Sequence, residues 1–381
     1  MSVFLTGGTG FLGRHLLDRL TRAGHDVMVL VNAPDPAEGG RKIRAALQSI
    51  GAAPADTRVV PILGDLRRPD LGLAPADCDR VLETVDWFIH CGAHVRFDAP
   101  IDAARRVNVG GTVALLELAQ ARQRHGRMSR FDYVSTAFVA GHRTGVVGED
   151  ELDGRYGHRN AYELTKFEAE RTVREARDRL PVTIVRPSVI VGDSRTGKTT
   201  SFHMIYWPAR IYAAGIWRVC PGNPAAPVDL VPVNVVADAM LELARDGRTL
   251  GRCFHLTAGP AGAATLRDMA DLLHRRFPQR RPVRFVQPGP WMRYVHPVLK
   301  YTTVGTLRRT IRAGEHFVPY FISNPQFDNS GATQFLAGTS VSIPHVREYW
   351  NQLLDYCVES DWGRRPPVPA REKHACSLST D

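Results

Sequence analysis

A tyrosine and a lysine four residues apart, Tyr162 and Lys166 in "NAYELTKFEAER", stand in a stretch that favours a helix. That spacing puts a phenol and an ammonium on one helix face, a turn apart. A free phenol titrates at about 10, too high to exchange a proton readily at neutral pH. A neighbouring ammonium, and the positive nicotinamide of an oxidised coenzyme, favour the phenolate, so the pair is expected to lower the Tyr162 pKa. Tyr162 can then give a proton to a carbonyl oxygen as hydride arrives, while Lys166 can also hold a coenzyme ribose. Alone, such a pair is more often two surface neighbours. "DYVSTAFVAG" supplies the third group: Thr136 ends a strand-like run, where α/β sheets place their ligands, and its hydroxyl can bond the same oxygen.

This chemistry needs a hydride source, and "LTGGTGFLG" provides a seat for one. Gly7, Gly10 and Gly13 lie between a strand-like and a helix-like run. The chain must turn sharply there, and a backbone without Cβ lets a pyrophosphate reach the helix N-terminal amides. Thr9, Phe11 and Leu12 complete the expected turn. The second strand, "DVMVLV", ends at Asn32, with no acid to bind the ribose hydroxyls of NADH. Arg14, Arg41, Lys42 and Arg44 lie near in sequence, which leans toward NADPH, with NADH still open; Arg41 is taken as the phosphate partner. Each of these cations could equally lie on a solvated helix face. Asp65 in "ILGDL" is a candidate for the adenine amino group, a turn or cap aspartate being the equal alternative.

The elements that must position these groups alternate, strand-like runs with amphipathic stretches, from "SVFLTG" to "PVTIVRP". That order predicts an α/β fold, a Rossmann-type doubly wound parallel sheet with a smaller, mostly helical substrate-binding region. The expected division is 1–192 plus 229–258 for the dinucleotide-binding part and 193–228 plus 259–364 for the substrate part. A Pro-rich, charged tail is expected over 365–381. The chain's 381 residues, 44% hydrophobic and 23% charged, can bury a large core. Six scattered cysteines show no metal-type spacing, no metal site is expected, and no basic leader precedes the first apolar run; a reduced, cytoplasmic protein is the reading. The net charge of +10 suits an anionic partner. Basic residues occur along the whole chain without a nucleic-acid-binding signature, so no nucleic acid is expected, and high arginine usage is the simpler account. Peripheral contact with a membrane surface and the oligomeric state stay open.

One motif competes. "GDSRTGKT", Gly192 to Thr199, satisfies the phosphate-loop pattern of nucleotide hydrolases. That loop needs a central strand before it and a helix directly after it. Pro187 stands in the would-be strand, and Pro208 follows before a secure helix develops. The loop is instead expected at the mouth of the substrate pocket, with Ser194 and the aromatics after it, and Lys198 is a residue to test for attracting an anionic substrate.

The order glycine turn, Thr136, Tyr162, Lys166 resembles the extended short-chain dehydrogenase/reductase superfamily. "GGTGFLGRHLL", "HCGAHVRF", "YELTKFEAE", "RPSVIVGDSRTG" and "FDNSGATQFLAGTSVSIP" are most similar to its thioester reductase and fatty acyl-CoA reductase branch, of male-sterility NAD-binding type. The resemblance implies that Leu66, Gly92, Ala93, Pro187 and Val189 line the coenzyme with Tyr162 and Lys166. It also implies that Asn108 supports backbone and proton relay there. It implies reduction of an acyl thioester, carried by coenzyme A or an acyl carrier protein, to an aldehyde or alcohol. Asn32 departs from the branch's usual arginine and Asn234 from a frequent aspartate. Two alternatives stand beside this: a hydroxysteroid-type secondary-alcohol dehydrogenase or nucleotide-sugar epimerase of the same superfamily, and a non-catalytic dinucleotide-binding scaffold.

Overall fold

Seven strands build the central sheet: β1 (Ser2–Thr6), β2 (Asp26–Val31), β3 (Val59–Leu63), β4 (Trp87–His90), β5 (Arg130–Val134), β6 (Val182–Pro187) and β7 (Cys253–Leu256). Their order is β7-β6-β5-β4-β1-β2-β3, and every pairing is parallel. The computed structural model describes residues 1–53, 57–305, 311, 314–315 and 317–365, so the expected tail lies, from residue 366, outside the described residues. Among the described residues no helix is long and apolar enough to cross a membrane.

Most strand residues are buried apolar side chains because both faces are covered. Val3 and Leu5 of β1 join Val27, Val29 and Val31 of β2 in one core, while Phe4, Met28, Leu30 and Phe88 enter the other. Helices α1 (Phe11–Arg22) and α2 (Pro36–Ser49) cover the first face; α3 (Pro75–Thr84) covers the second. The short α4 (Ile101–Arg105) leads through a π turn, Arg106–Gly110, into α5 (Gly111–His125), which with α6 (Ala161–Glu175) completes the second layer. In α1 the buried Leu12, Leu16, Leu17 and Leu20 form one stripe. Arg19 and Arg22 face the negative helix end, and Gly24 at φ +84° turns the chain away.

Pro187 is the last residue of β6, where its missing N–H interrupts nothing. The chain then forms Val189–Val191, which pairs with Leu230–Pro232 in a sheet of its own. Beyond it, α7 (Tyr206–Ala213), Leu266–Arg276 and the helix Val346–Glu359 share a core of Tyr206, Tyr212, Tyr349, Trp350 and Leu353. Helix α8 (Val233–Arg245) returns to the face that α1 covers.

A buried ion pair locks α6 to the sheet. The Glu170 carboxylate accepts from Arg186 Nη2 at 2.6 Å and Nε at 3.0 Å, from Arg174 at 2.9 Å and from Ser135 Oγ at 2.6 Å. Burial alone would raise this carboxyl, but Arg186, Arg174 and Ser135 outweigh it and hold it at about 2. Its stabilisation is full above the ordinary value of 4.5 and is lost as pH falls through about 2. Glu170→Gln is therefore expected to lower the unfolding free energy by about 3–5 kcal/mol at neutral pH. Urea denaturation should show the gap to the parent narrowing steadily as the pH approaches 2.

Candidate active site

The glycine turn has the shape of a coenzyme cradle. Gly7 sits at φ +71°, and a Cβ there would lie 2.6 Å from Gly92 N. At Gly13 a Cβ would come within 2.0 Å of Gly7 O, so the first turn of α1 packs directly on the loop. Helix α1 starts after Gly10 with no side-chain cap and no acid in its first turn, which leaves its N-terminus open to an anion. Phe11 and Leu12 belong to that turn, and the Thr9 carbonyl accepts from Arg14 Nη2 at 2.7 Å. A pyrophosphate fits these residues.

Farther along the strand ends, Asn32 donates to Asp65 at 3.0 Å, and Arg67 grips Asp65 through Nε and Nη2. Lys42 donates to the Asn32 carbonyl at 2.7 Å. Arg41, the expected phosphate partner, turns instead to Glu38 at 2.7 Å. The cations gathered at the ends of β2 and β3 are therefore Lys42 and Arg67. Leu66 packs toward Gly92, where a Cβ would meet its side chain at 2.6 Å, and Ala93 follows in the same loop.

Asn108 lies in the π turn and holds that loop in place. Its Oδ1 accepts from His94 N at 2.7 Å, and its Nδ2 donates to His94 O at 3.0 Å and Thr165 Oγ1 at 2.9 Å. It thereby joins the strand-four loop to α6. The widened turn, a feature common at functional sites, aims the amide inward.

Thr136, Tyr162 and Lys166 come together at the ends of β5 and β6. Thr136 accepts from Phe138 N at 3.3 Å and donates to the Pro187 carbonyl at 3.5 Å; Val189 lies just beyond. Its hydroxyl lies close enough to the Tyr162 phenol to favour the phenolate there. Lys166 donates to Tyr133 Oη at 2.7 Å and to Val134 O at 2.8 Å. The expected lowering of Tyr162 does not appear. Burial pushes the phenol up to about 12, Thr136 only partly opposing it, so Tyr162 is protonated at neutral pH. Burial also brings Lys166 down to about 7, although Glu170 and Cys91 pull it upward. The Lys166 ammonium is spent on Tyr133 and a backbone carbonyl, and burial itself drives it toward the neutral form.

The family model described as "Male sterility protein", an NAD-binding model, matches residues 5–240. The chain belongs to this family, within the extended short-chain dehydrogenases/reductases. It is an NAD(P)-dependent oxidoreductase. Among curated relatives, a Drosophila melanogaster protein named as a fatty acyl-CoA reductase is 25% identical over 333 residues, covering 75% of this chain and 60% of that protein. Aldehyde reductase lnaA of Aspergillus flavus is 34% identical over 289 residues, covering 71% and 26%. The chain thus spans only part of the length of these relatives. Among solved structures, the terminal R domain from the myxalamid PKS-NRPS biosynthetic pathway superposes with a TM-score of 0.82 at 29% identity, covering 96% of this chain and 92% of that one.

Three side chains that the sequence did not mark as site residues form an aromatic row that ends on the reductase's Tyr162. Phe97 lies 6.0 Å from the Tyr162 ring, Tyr320 stacks on Phe97 at 5.7 Å, and Phe138 meets Tyr320 edge-on at 5.6 Å. Tyr320 is tied down by charge as well: its hydroxyl donates to the buried Glu163 at 2.6 Å and accepts from Asn160 at 2.8 Å. Arg159 lies 5.0 Å over its ring. The C-terminal region thus closes on the start of α6. Phe97 belongs to "HCGAHVRF" and Phe138 to "DYVSTAFVAG", whereas Tyr320 lies in neither.

The phosphate-loop lookalike is closed on itself. Asp193 accepts from the amides of Arg195 and Thr196 at 2.9 and 3.0 Å, and the Asp193 carbonyl accepts from Gly197 N at 2.8 Å. No helix follows until Tyr206. Lys198 lies against the end of α2, where a Cβ on Gly51 would sit 3.2 Å from its Nζ. Asp193, Ser194 and Arg195 line a groove of about 790 Å³ with His15, Arg19 and Asn234, to which none of Thr136, Tyr162 and Lys166 contributes. Gly13→Ala is expected to weaken coenzyme binding by at least about a hundredfold, since helix and loop must part. Titration of intrinsic fluorescence with NADPH and NADH checks this, and ATP is expected to bind neither protein.

Proposed function

We propose that this reductase reduces an acyl thioester, delivered as acyl-CoA or on a carrier protein, to the aldehyde, with a second hydride yielding the alcohol. The observation that carries the reading is the protonated Tyr162 phenol beside the Thr136 hydroxyl, with the Phe97 ring against it. Family membership and the likeness to the myxalamid R domain support the same class of reaction. Bound nicotinamide coenzyme would supply hydride to the thioester carbonyl carbon.

The residues do the rest. Charge appears on the former carbonyl oxygen, and two hydroxyl donors stabilise it there. A phenol held at about 12 is in the proton-donating form that reduction requires. Loss of the thiol from the resulting hemithioacetal leaves the aldehyde. Lys166 would hold the ribose and, with negative charge on the coenzyme beside it, regain its ammonium form. The segment 193–228 with 259–364 would hold the acyl portion.

Tyr162→Phe is expected to cut kcat by about a hundredfold or more with coenzyme affinity intact. Oxidation of NADPH and NADH with a panel of acyl-CoA, acyl-carrier, aldehyde and sterol substrates decides the class. Turnover confined to sterols, or full activity without the phenol, refutes the proposal.

For the coenzyme the reading is NADPH. Asn32 brings no carboxylate to the ribose, while Lys42 and Arg67 stand beside it. Lys42→Ala is expected to weaken NADPH by about tenfold and leave NADH unchanged. Equal losses for both coenzymes would place Lys42 away from the extra phosphate.

A further inference from the structure

The positive excess of this chain has an address. Residues 272–314 contain ten Lys or Arg and no Asp or Glu, against 49 and 39 in the whole chain, so all other residues together carry 39 of each. High arginine usage throughout would not produce that division. The described residues of this segment also show an unusual surface. Pro288–Pro290, the π turn Trp291–Val295 and His296–Thr302 run on as one continuous helical stretch, none of whose residues is fully buried.

Its apolar side chains face water. Tyr294, Val298 and Tyr301 recur at i, i+4 and i+7 and are 63%, 57% and 76% exposed; Val304, just past the helix, is 80% exposed. A stripe of this kind is the mark of a helix that lies on something apolar. Its polar side anchors it to the protein instead: Lys300 pairs with Glu315 at 2.8 Å and His296 with the same carboxylate at 3.5 Å.

The strand Arg284–Val286 leads into this helix and pairs with Val219–Pro221. At the start of that pair lies a cleft of about 280 Å³ lined by Arg218, Arg280 and Arg281. The Nε of Arg280 is buried there without a hydrogen-bond partner. Three guanidinium groups and an unsatisfied donor suit a phosphate. The row of tyrosine and valine on the helix into which this strand leads suits the boundary between headgroups and acyl chains.

We infer that this face docks the enzyme on an anionic lipid bilayer, the 288–302 helix lying in the interface and the arginine cleft taking a lipid headgroup phosphate. An acidic protein surface would meet the charge but would leave the exposed row of Tyr and Val without a counterpart. The inference concerns a surface apart from Tyr162, so it stands or falls independently of the proposed reaction.

The test is co-sedimentation of the full chain with vesicles of phosphatidylcholine alone or mixed with phosphatidylglycerol. Retention is expected on the anionic vesicles only, declining with salt. Tyr294→Ser/Val298→Ser/Tyr301→Ser and Arg280→Glu/Arg281→Glu should each reduce it by on the order of tenfold, with parental melting temperature and coenzyme affinity. Should a variant fail to fold, brominated lipid in the anionic vesicles is expected to quench Trp291 fluorescence in the parent protein. Absence of vesicle binding and of quenching overturns the inference. So does binding that ignores both variants. Binding of an acidic carrier protein that the variants abolish, without any vesicle binding, would assign the face to a protein partner instead.

Discussion

The pairing of Glu170 with Arg186 is the constraint on which the site depends. Glu170 sits one turn beyond Lys166 on α6, and Arg186 stands one residue before Pro187 on β6, so their contact fixes the helix against the sheet. Ser135, immediately before Thr136, donates to the same carboxylate and brings the end of β5 into the arrangement. Arg186 also donates to the carbonyls of Glu149 and Glu151, which carries the fixation into the following loop. A buried pair of this kind is not retained for stability alone, since apolar residues of like volume often stabilise as well or better. Directionality is what it adds. Hydrophobic packing tolerates small slides of a helix over a sheet, whereas a carboxylate held from three sides does not.

Desolvation is the second theme, and it inverts the expected acid–base logic. Sequence spacing suggests a lysine that acidifies a tyrosine. In the folded chain both groups are withdrawn from water, and each is driven toward its uncharged form, the phenol up to about 12 and the ammonium down to about 7. The phenol is consequently held in its proton-bearing form. An added charge at this spot, such as the phosphates of a dinucleotide, acts in a medium of low polarity and shifts Lys166 more strongly than it would at the surface.

Much of the fold could be read in advance because its signals are local and periodic. Strands buried on both faces spell continuous apolar runs such as "DVMVLV", and the glycines of "LTGGTGFLG" answer to contacts that no Cβ would survive. Thr136, Tyr162 and Lys166 were legible because their spacing follows the helix and the strand end. What escaped was contact between distant segments. Nothing in the sequence says that Tyr320 reaches Glu163, 157 positions earlier, or that Asn32 reaches Asp65. The "GDSRTGKT" match misled for a related reason: the letters say nothing about which acceptors the loop amides meet, and here Asp193 occupies them.

The π turn at Arg106–Gly110 makes this part of the enzyme sensitive to length in a way that substitution does not reveal. An extra residue is accommodated there between α4 and α5, and Asn108 rides on it. Removing a single residue would let ordinary helical pitch resume, and because the wide turn absorbs that residue the helix downstream would keep its phase. The buried face of α5, with Ala114, Leu115 and Ala119, would stay on the sheet while the Asn108 amide left the His94 loop. Core packing and the placing of Asn108 are thus separable here, the first carried by the phase of the helix and the second by the width of one turn.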